Sequence, residues 1–94
     1  MVPLGVSNYV VTEHALFEME RRDLAEDAIQ EVLRSPEQRF DVRPGRVVLQ
    51  SRMMMGPSEK QYLVRVVVDV DRQPAEVVTA YRTSKIAKYW RAES

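Results

Sequence analysis

Near residue 38 the spacing of apolar residues changes from a period close to 3.6 to a period of two, and one kind of secondary structure cannot serve both halves. Upstream, Ala15, Leu16 and Met19, then Leu24, Ala28, Ile29, Val32 and Leu33, recur as they would on the buried stripe of a helix. Downstream, Tyr62, Val64, Val66, Val68 and Val70 alternate with Leu63, Arg65, Val67 and Asp69. Helices followed by a run of strands make an α+β domain, with the helices segregated to one face of an antiparallel sheet.

The punctuation supports this division. Thr12 is a good N-cap and Glu13 suits a first turn, so a first helix is expected over Glu13–Arg22. A second is expected over Ala25–Arg34, stopped by Pro36. The link between them is very short, and Asp23 is the residue there that best tolerates a positive φ. Strands are expected at Arg39–Arg43, Arg46–Met53, Gln61–Val70 and Glu76–Arg82. Pro44-Gly45 fits a type II turn between the first two, and Met54–Glu59 reads as a loop. A short helix, capped by Thr83 or Ser84, is expected over Ser84–Arg91. The order is ααββββα in a single domain over residues 1–94, with residues 1–11 as a leading arm containing a short extended piece at Tyr9–Val11.

Composition removes whole classes of chemistry. Without cysteine there is no disulfide, zinc–thiolate site or cysteine nucleophile, and one histidine makes no metal-ligand cluster, so no metal or cofactor is expected. Gly5, Gly45 and Gly56 form no phosphate-binding loop. The chain has no basic, apolar leader and no run long enough to span a membrane, so the cytoplasm is the expected compartment. Net charge is zero but uneven. Residues 12–37 hold eight acids and three cations, net −5, while residues 38–94 hold eleven cations and six acids, net +5.

The densest cations lie in Thr79-Ala80-Tyr81-Arg82-Thr83-Ser84-Lys85-Ile86-Ala87-Lys88-Tyr89-Trp90-Arg91. Cations interleaved with rings suit a single-stranded nucleic acid, with charge for phosphate and ring faces for bases. The competing account is an amphipathic helix whose Ile86, Tyr89 and Trp90 cap the core while its cations are solvated. Arg65 stands among valines in mid-strand, where its guanidinium needs an acid, a carbonyl or a ligand. An acid from the helices, Glu18 or Glu20, would make it structural, and a phosphate would make it functional. His14, the lone histidine, is either a hydrogen-bonded structural residue at a helix start or a general base. Asp69 and Asp71 read as a turn feature.

Two motifs carry a family resemblance. One is Thr12-Glu13-His14-Ala15 with Met19, Glu20, Arg21 and Arg22 and the acidic second helix; the other is Leu63-Val64-Arg65-Val66-Val67 leading to Thr79–Ile86. Together, over residues 9–91, they resemble the domain-of-unknown-function family 4258. That resemblance implies a RelE/ParE-like toxin fold, a cytoplasmic prokaryotic toxin–antitoxin setting, RNA as a ligand, a metal-independent endoribonuclease activity and a cognate antitoxin as partner. Asp23 and Ala25 depart from it, standing where the family has Gly and a Ser or Thr cap.

On this basis the candidate catalytic residues are His14, Arg65 and Tyr81, and the candidate nucleic-acid ligands are Arg82, Lys85 and Lys88. Arg65 and Arg82 would hold phosphate, and His14 or Tyr81 would move protons. The alternatives are a non-catalytic nucleic-acid or protein-interaction module, and a toxin-fold protein acting on a protein such as gyrase.

Overall fold

The computed structural model describes residues 3–92. Its elements are β1 (Tyr9–Val11), α1 (Glu13–Arg21), α2 (Glu26–Arg34), β2 (Gln38–Arg43), β3 (Arg46–Met55), β4 (Lys60–Asp69), β5 (Ala75–Thr83) and α3 (Ile86–Tyr89). The strands form one sheet in the order β1-β5-β4-β3-β2. Pairings β2–β3, β3–β4 and β4–β5 are antiparallel.

The expected four-stranded antiparallel sheet is therefore the larger part of a five-stranded mixed one. The Tyr9–Val11 piece pairs in parallel with β5, Tyr9 against Ala75 and Val11 against Val77. Three residues are too short to carry a period, so their pairing left no mark in the hydrophobic pattern. Hydrogen bonds at both ends extend the register: Ala75 N donates to Asn8 O (3.1 Å) and Thr12 N to Val77 O (3.2 Å).

Thr12 joins the edge of the sheet to the first helix. Its hydroxyl donates to Val77 O (3.0 Å) and accepts from Ala15 N (3.1 Å), capping α1. Asp23 makes the interhelical turn at φ 54°, and Gly45 makes the β2–β3 turn at φ 83°. At Gly45 a Cβ would strike the Asp71 carboxylate. Gly5 answers a different constraint. It runs so close to the carbonyls of Leu33 and Arg34 that no Cβ fits, while Val6 N donates to Leu33 O (2.7 Å), satisfying a carbonyl at the end of α2.

Alternation along the strands sends Val47 and Leu49, Val64, Val66 and Val68, and Ala75 and Val77 toward the helices, and the irregularity that leaves Val78 unpaired resets the phase so that Ala80 joins them. There they meet Ala15 and Met19 of α1, Leu24, and Ala28, Ile29, Val32 and Leu33 of α2. Leu16 is not part of this stripe. It stands 44% exposed beside Phe17 at 61%, because Ala15 and Met19 already fix the buried line of α1. The expected loop at Met54–Glu59 is shorter than the pattern suggested, since β3 runs to Met55 and β4 starts at Lys60. The last helix is also shorter than expected. It begins after Lys85, with neither Thr83 nor Ser84 as its N-cap and no side-chain capping bond.

Two outcomes are expected. Ile29→Ala or Leu33→Ala, each removing a fully buried side chain, should cost about 2–5 kcal/mol by denaturant unfolding. Asp69 is buried and doubly bonded by the Arg46 guanidinium (2.6 and 3.0 Å), which holds its carboxyl below the ordinary 3.8, with Arg72 and Arg43 adding to the effect. A carboxyl with a lowered folded value stabilises the protein above its ordinary value and loses that contribution as pH falls to the lowered one. Asp69→Asn should therefore be less stable than the parent at neutral pH, with the gap in melting temperature closing as pH drops below 3.8.

Candidate functional site

On the sheet face away from α1 and α2, the strand register aligns one polar row. Gln38 lies opposite Gln50, Gln50 opposite Arg65, and Arg65 opposite Tyr81, across β2, β3, β4 and β5. The row is continuously bonded. Gln50 Nε2 donates to Gln38 Oε1 (2.7 Å), Arg65 Nε to Gln50 Oε1 (2.9 Å), and Arg65 Nη1 to the Tyr81 hydroxyl (2.5 Å). Gln50 is fully buried, so both ends of its amide must be satisfied, and they are.

Arg65 is also surrounded by rings. Its guanidinium carbon lies 4.3 Å from the Tyr89 ring centroid, 5.7 Å from Tyr81 and 6.0 Å from Phe40. No carboxylate pairs with it among the described residues. The helix acids considered as its partners are elsewhere: Glu18 pairs with Arg22 (3.1 Å), and Glu20 is exposed. Arg65 Nη2 makes no hydrogen bond among the described residues, where no buried side-chain nitrogen or oxygen lacks a partner. That nitrogen is therefore not fully buried, and no protein group uses it among the described residues.

The chain after β5 lies on this same face. Gln50 Nε2 donates to Tyr89 O (3.2 Å) and Gln38 Nε2 to Arg91 O (2.6 Å), while Gln38 Oε1 accepts from Arg91 N (3.1 Å). Trp90 lies under the Arg52 guanidinium at 4.1 Å, and Phe40 under that of Arg91 at 3.8 Å. Arg52 is held in turn by Glu37 at 3.1 and 3.0 Å, a bond that keeps the Glu37 carboxyl below its usual range. The face is thus not an empty concavity. Residues 89–91 cross it and leave Arg65 and Tyr81 half-buried.

The candidate residues divide in three. Arg65 and Tyr81 are bonded to each other. His14 is apart from them: it is exposed, second in α1, on the other side of the sheet. Arg22, just past the far end of that helix, is the residue that reaches Tyr81, its guanidinium 5.5 Å from the ring. Arg22 lies eight positions after His14, about 12 Å of rise along the helix. Arg82 points to the helix side, opposite Val64, and its guanidinium lies 4.7 Å from the Tyr62 ring. Lys85 precedes α3 and is exposed; Lys88 is exposed with its ammonium 5.3 Å from Tyr89.

Sequence reasoning passed over Gln38 and Gln50, the residues that tie the row together. The signal was there in Gln50, a polar residue ending the apolar run Val47-Val48-Leu49, but its meeting with Arg65 depends on register. A hollow of about 490 Å³ between the leading arm and α2 is lined by Gly5, Val6, Ser7, Tyr9, Gln30 and Arg34 and includes no member of the row. No helix among the described residues is long and apolar enough to cross a membrane.

A family model for a domain of unknown function (DUF4258) matches residues 11–82. No curated protein and no solved structure matches the chain.

Replacing Gln50 by Leu keeps the bulk but leaves Arg65 Nε and Tyr89 O without their partner and takes one of its two donors from Gln38 Oε1. It should cost about 1–3 kcal/mol. The emission of Trp90, the single tryptophan, should change as residues 89–91 loosen, and amide exchange there should speed up more than in α1 or α2. Unchanged emission and exchange in a folded variant would show that the amide does not hold the segment.

Proposed function

This chain belongs to that family of domains of unknown function, and from that premise we propose that it is a RelE/ParE-like, toxin-type domain that binds RNA on the sheet face away from α1 and α2. Arg65 is the phosphate ligand, Tyr81 adds a hydroxyl donor, and the Tyr89 and Tyr81 rings flank the contact. One observation supports this: a guanidinium at the centre of the sheet is bonded only to neutral partners and leaves Nη2 without a hydrogen bond among the described residues. A half-buried cation with no acid beside it attracts an anion more strongly than a solvated one, because less water screens it. A planar guanidinium also suits phosphate better than an ammonium does. The net +5 of residues 38–94 adds a long-range attraction of the same sign.

Binding is favoured over cleavage. Metal-independent cleavage of RNA needs a group to take the 2′-hydroxyl proton and one to protonate the leaving oxygen. Tyr81 stands beside Arg65 and can serve as one of them, since its hydroxyl accepts from Arg65 and keeps its own proton to donate. His14 does not reach the pair, so a cleaving version would rest on Tyr81 without its expected partner.

Filter binding of a labelled single-stranded RNA, with thermal melts of the same variants, tests this. Affinity should fall as salt rises, with a log–log slope near −0.7 for each phosphate contact. Arg65→Ala should weaken binding by roughly ten-fold, and Arg65→Lys should restore little if the contact is a two-pronged fork. If Arg65 serves only to hold residues 89–91 down, Arg65→Ala lowers the melting temperature and leaves RNA affinity unchanged, and the proposal fails. Should cleavage be detected, Tyr81→Phe should slow it about 10²–10⁴-fold with little change in binding.

A further inference from the structure

Tyr81 and Arg82 are consecutive on β5, so their side chains leave the sheet on opposite faces. Arg82 does not stand alone on its side. It lies opposite Val64, on the face that Tyr62 and Lys60 share along β4. The Arg82 guanidinium is 4.7 Å from the Tyr62 ring centroid and the Lys60 ammonium 5.7 Å from the same ring. Neither cation enters an ion pair among the described residues. A ring flanked by two cations without an acid repeats the chemistry around Arg65, on the reverse of the sheet.

The way between the two faces is short. β1 covers β5 only at Ala75, Glu76 and Val77, so from Thr79 onward β5 is the edge of the sheet. Arg22 stands at that edge, its guanidinium 5.5 Å from the Tyr81 ring.

We propose that Lys60, Tyr62 and Arg82 form a second nucleotide-binding site, which takes the phosphate and base flanking the segment held at Arg65. The same strand turns over the edge of β5 to reach it, and the second site rests on the proposed RNA contact at Arg65 for its first hold. The placement of the two sites sets the class of ligand. A duplex bends smoothly only over distances far larger than this domain, so it can lie on one face but cannot wrap an edge one strand wide. A single strand turns freely and can stack a base on Tyr62 while its phosphates meet Lys60 and Arg82.

Fluorescence anisotropy with labelled oligouridylates of about four and about twelve nucleotides, and with an RNA duplex of the longer length, tests this. The probe variant is Lys60→Gln with Arg82→Gln; Lys60→Gln alone carries the test if the pair fails to fold. The longer strand should bind roughly ten-fold more weakly to the variant than to the parent, while the short one, seated at Arg65, should be unaffected. Arg65→Gln should weaken both. The duplex should bind the parent more weakly than the long single strand does. An unchanged long-strand affinity in the variant, beside a loss in Arg65→Gln, would overturn the second site and leave the proposed contact at Arg65 intact. Equal loss for short and long strands, or a duplex bound as tightly as the single strand, would also overturn it. If no RNA binds the parent, both fall together.

Discussion

A guanidinium in the middle of a central strand cannot be left without partners, and the side of this sheet away from α1 and α2 is organised around meeting that need. Arg65 fixes Gln50 on one side and Tyr81 on the other. Gln50, being fully buried, must then use its remaining donors, and it spends them on Gln38 and the carbonyl of Tyr89. Gln38 extends the chain of obligations to both backbone groups of Arg91. One charged residue thereby sets the position of a segment that has little cohesion of its own, since α3 has four residues and no side-chain cap. The two faces of the sheet are stabilised by different forces: area-driven packing under α1 and α2, and directional bonds and ring–cation contacts on the other side.

That division explains what could be read from the sequence. Val64, Val66 and Val68 announced β4 and its buried face because burial acts on every second residue. Ile29, Val32 and Leu33 did the same for α2, whose observed start lies one residue from the expected one. Thr12 and Asp23 were legible because a cap and a left-handed turn each favour few residue types. What was missed lacked such a local cause. The extended piece at Tyr9–Val11 was expected, but its partner in the sheet lies more than sixty positions away, and the ends of β3 and β4 are held by each other across a tight turn.

The site was legible only in part. Arg65 stood out because an arginine among valines is anomalous, and Tyr81 because it lies in a basic, aromatic stretch. That the two touch depends on the β4–β5 pairing, which includes an irregularity between Val67 and Val68 that no composition argument places. His14 drew attention by residue type, yet its helix carries it to the other side of the sheet. Arg82 shared a motif with Tyr81, and strand geometry puts the two on opposite faces.

The parallel pairing of β1 with β5 also has a consequence for how the chain is made. Strands β2 to β5 join through successive hairpins, contacts that form as soon as each neighbour emerges. β1 has to wait for Ala75–Val77, and α1 also packs on β5, so these early elements find their places only once β5 has been made. Until then the apolar side of α1 has no sheet to cover it. Long-range closure of this kind raises contact order and slows folding. It makes the exposed interval before β5 appears the period in which the chain is most open to aggregation.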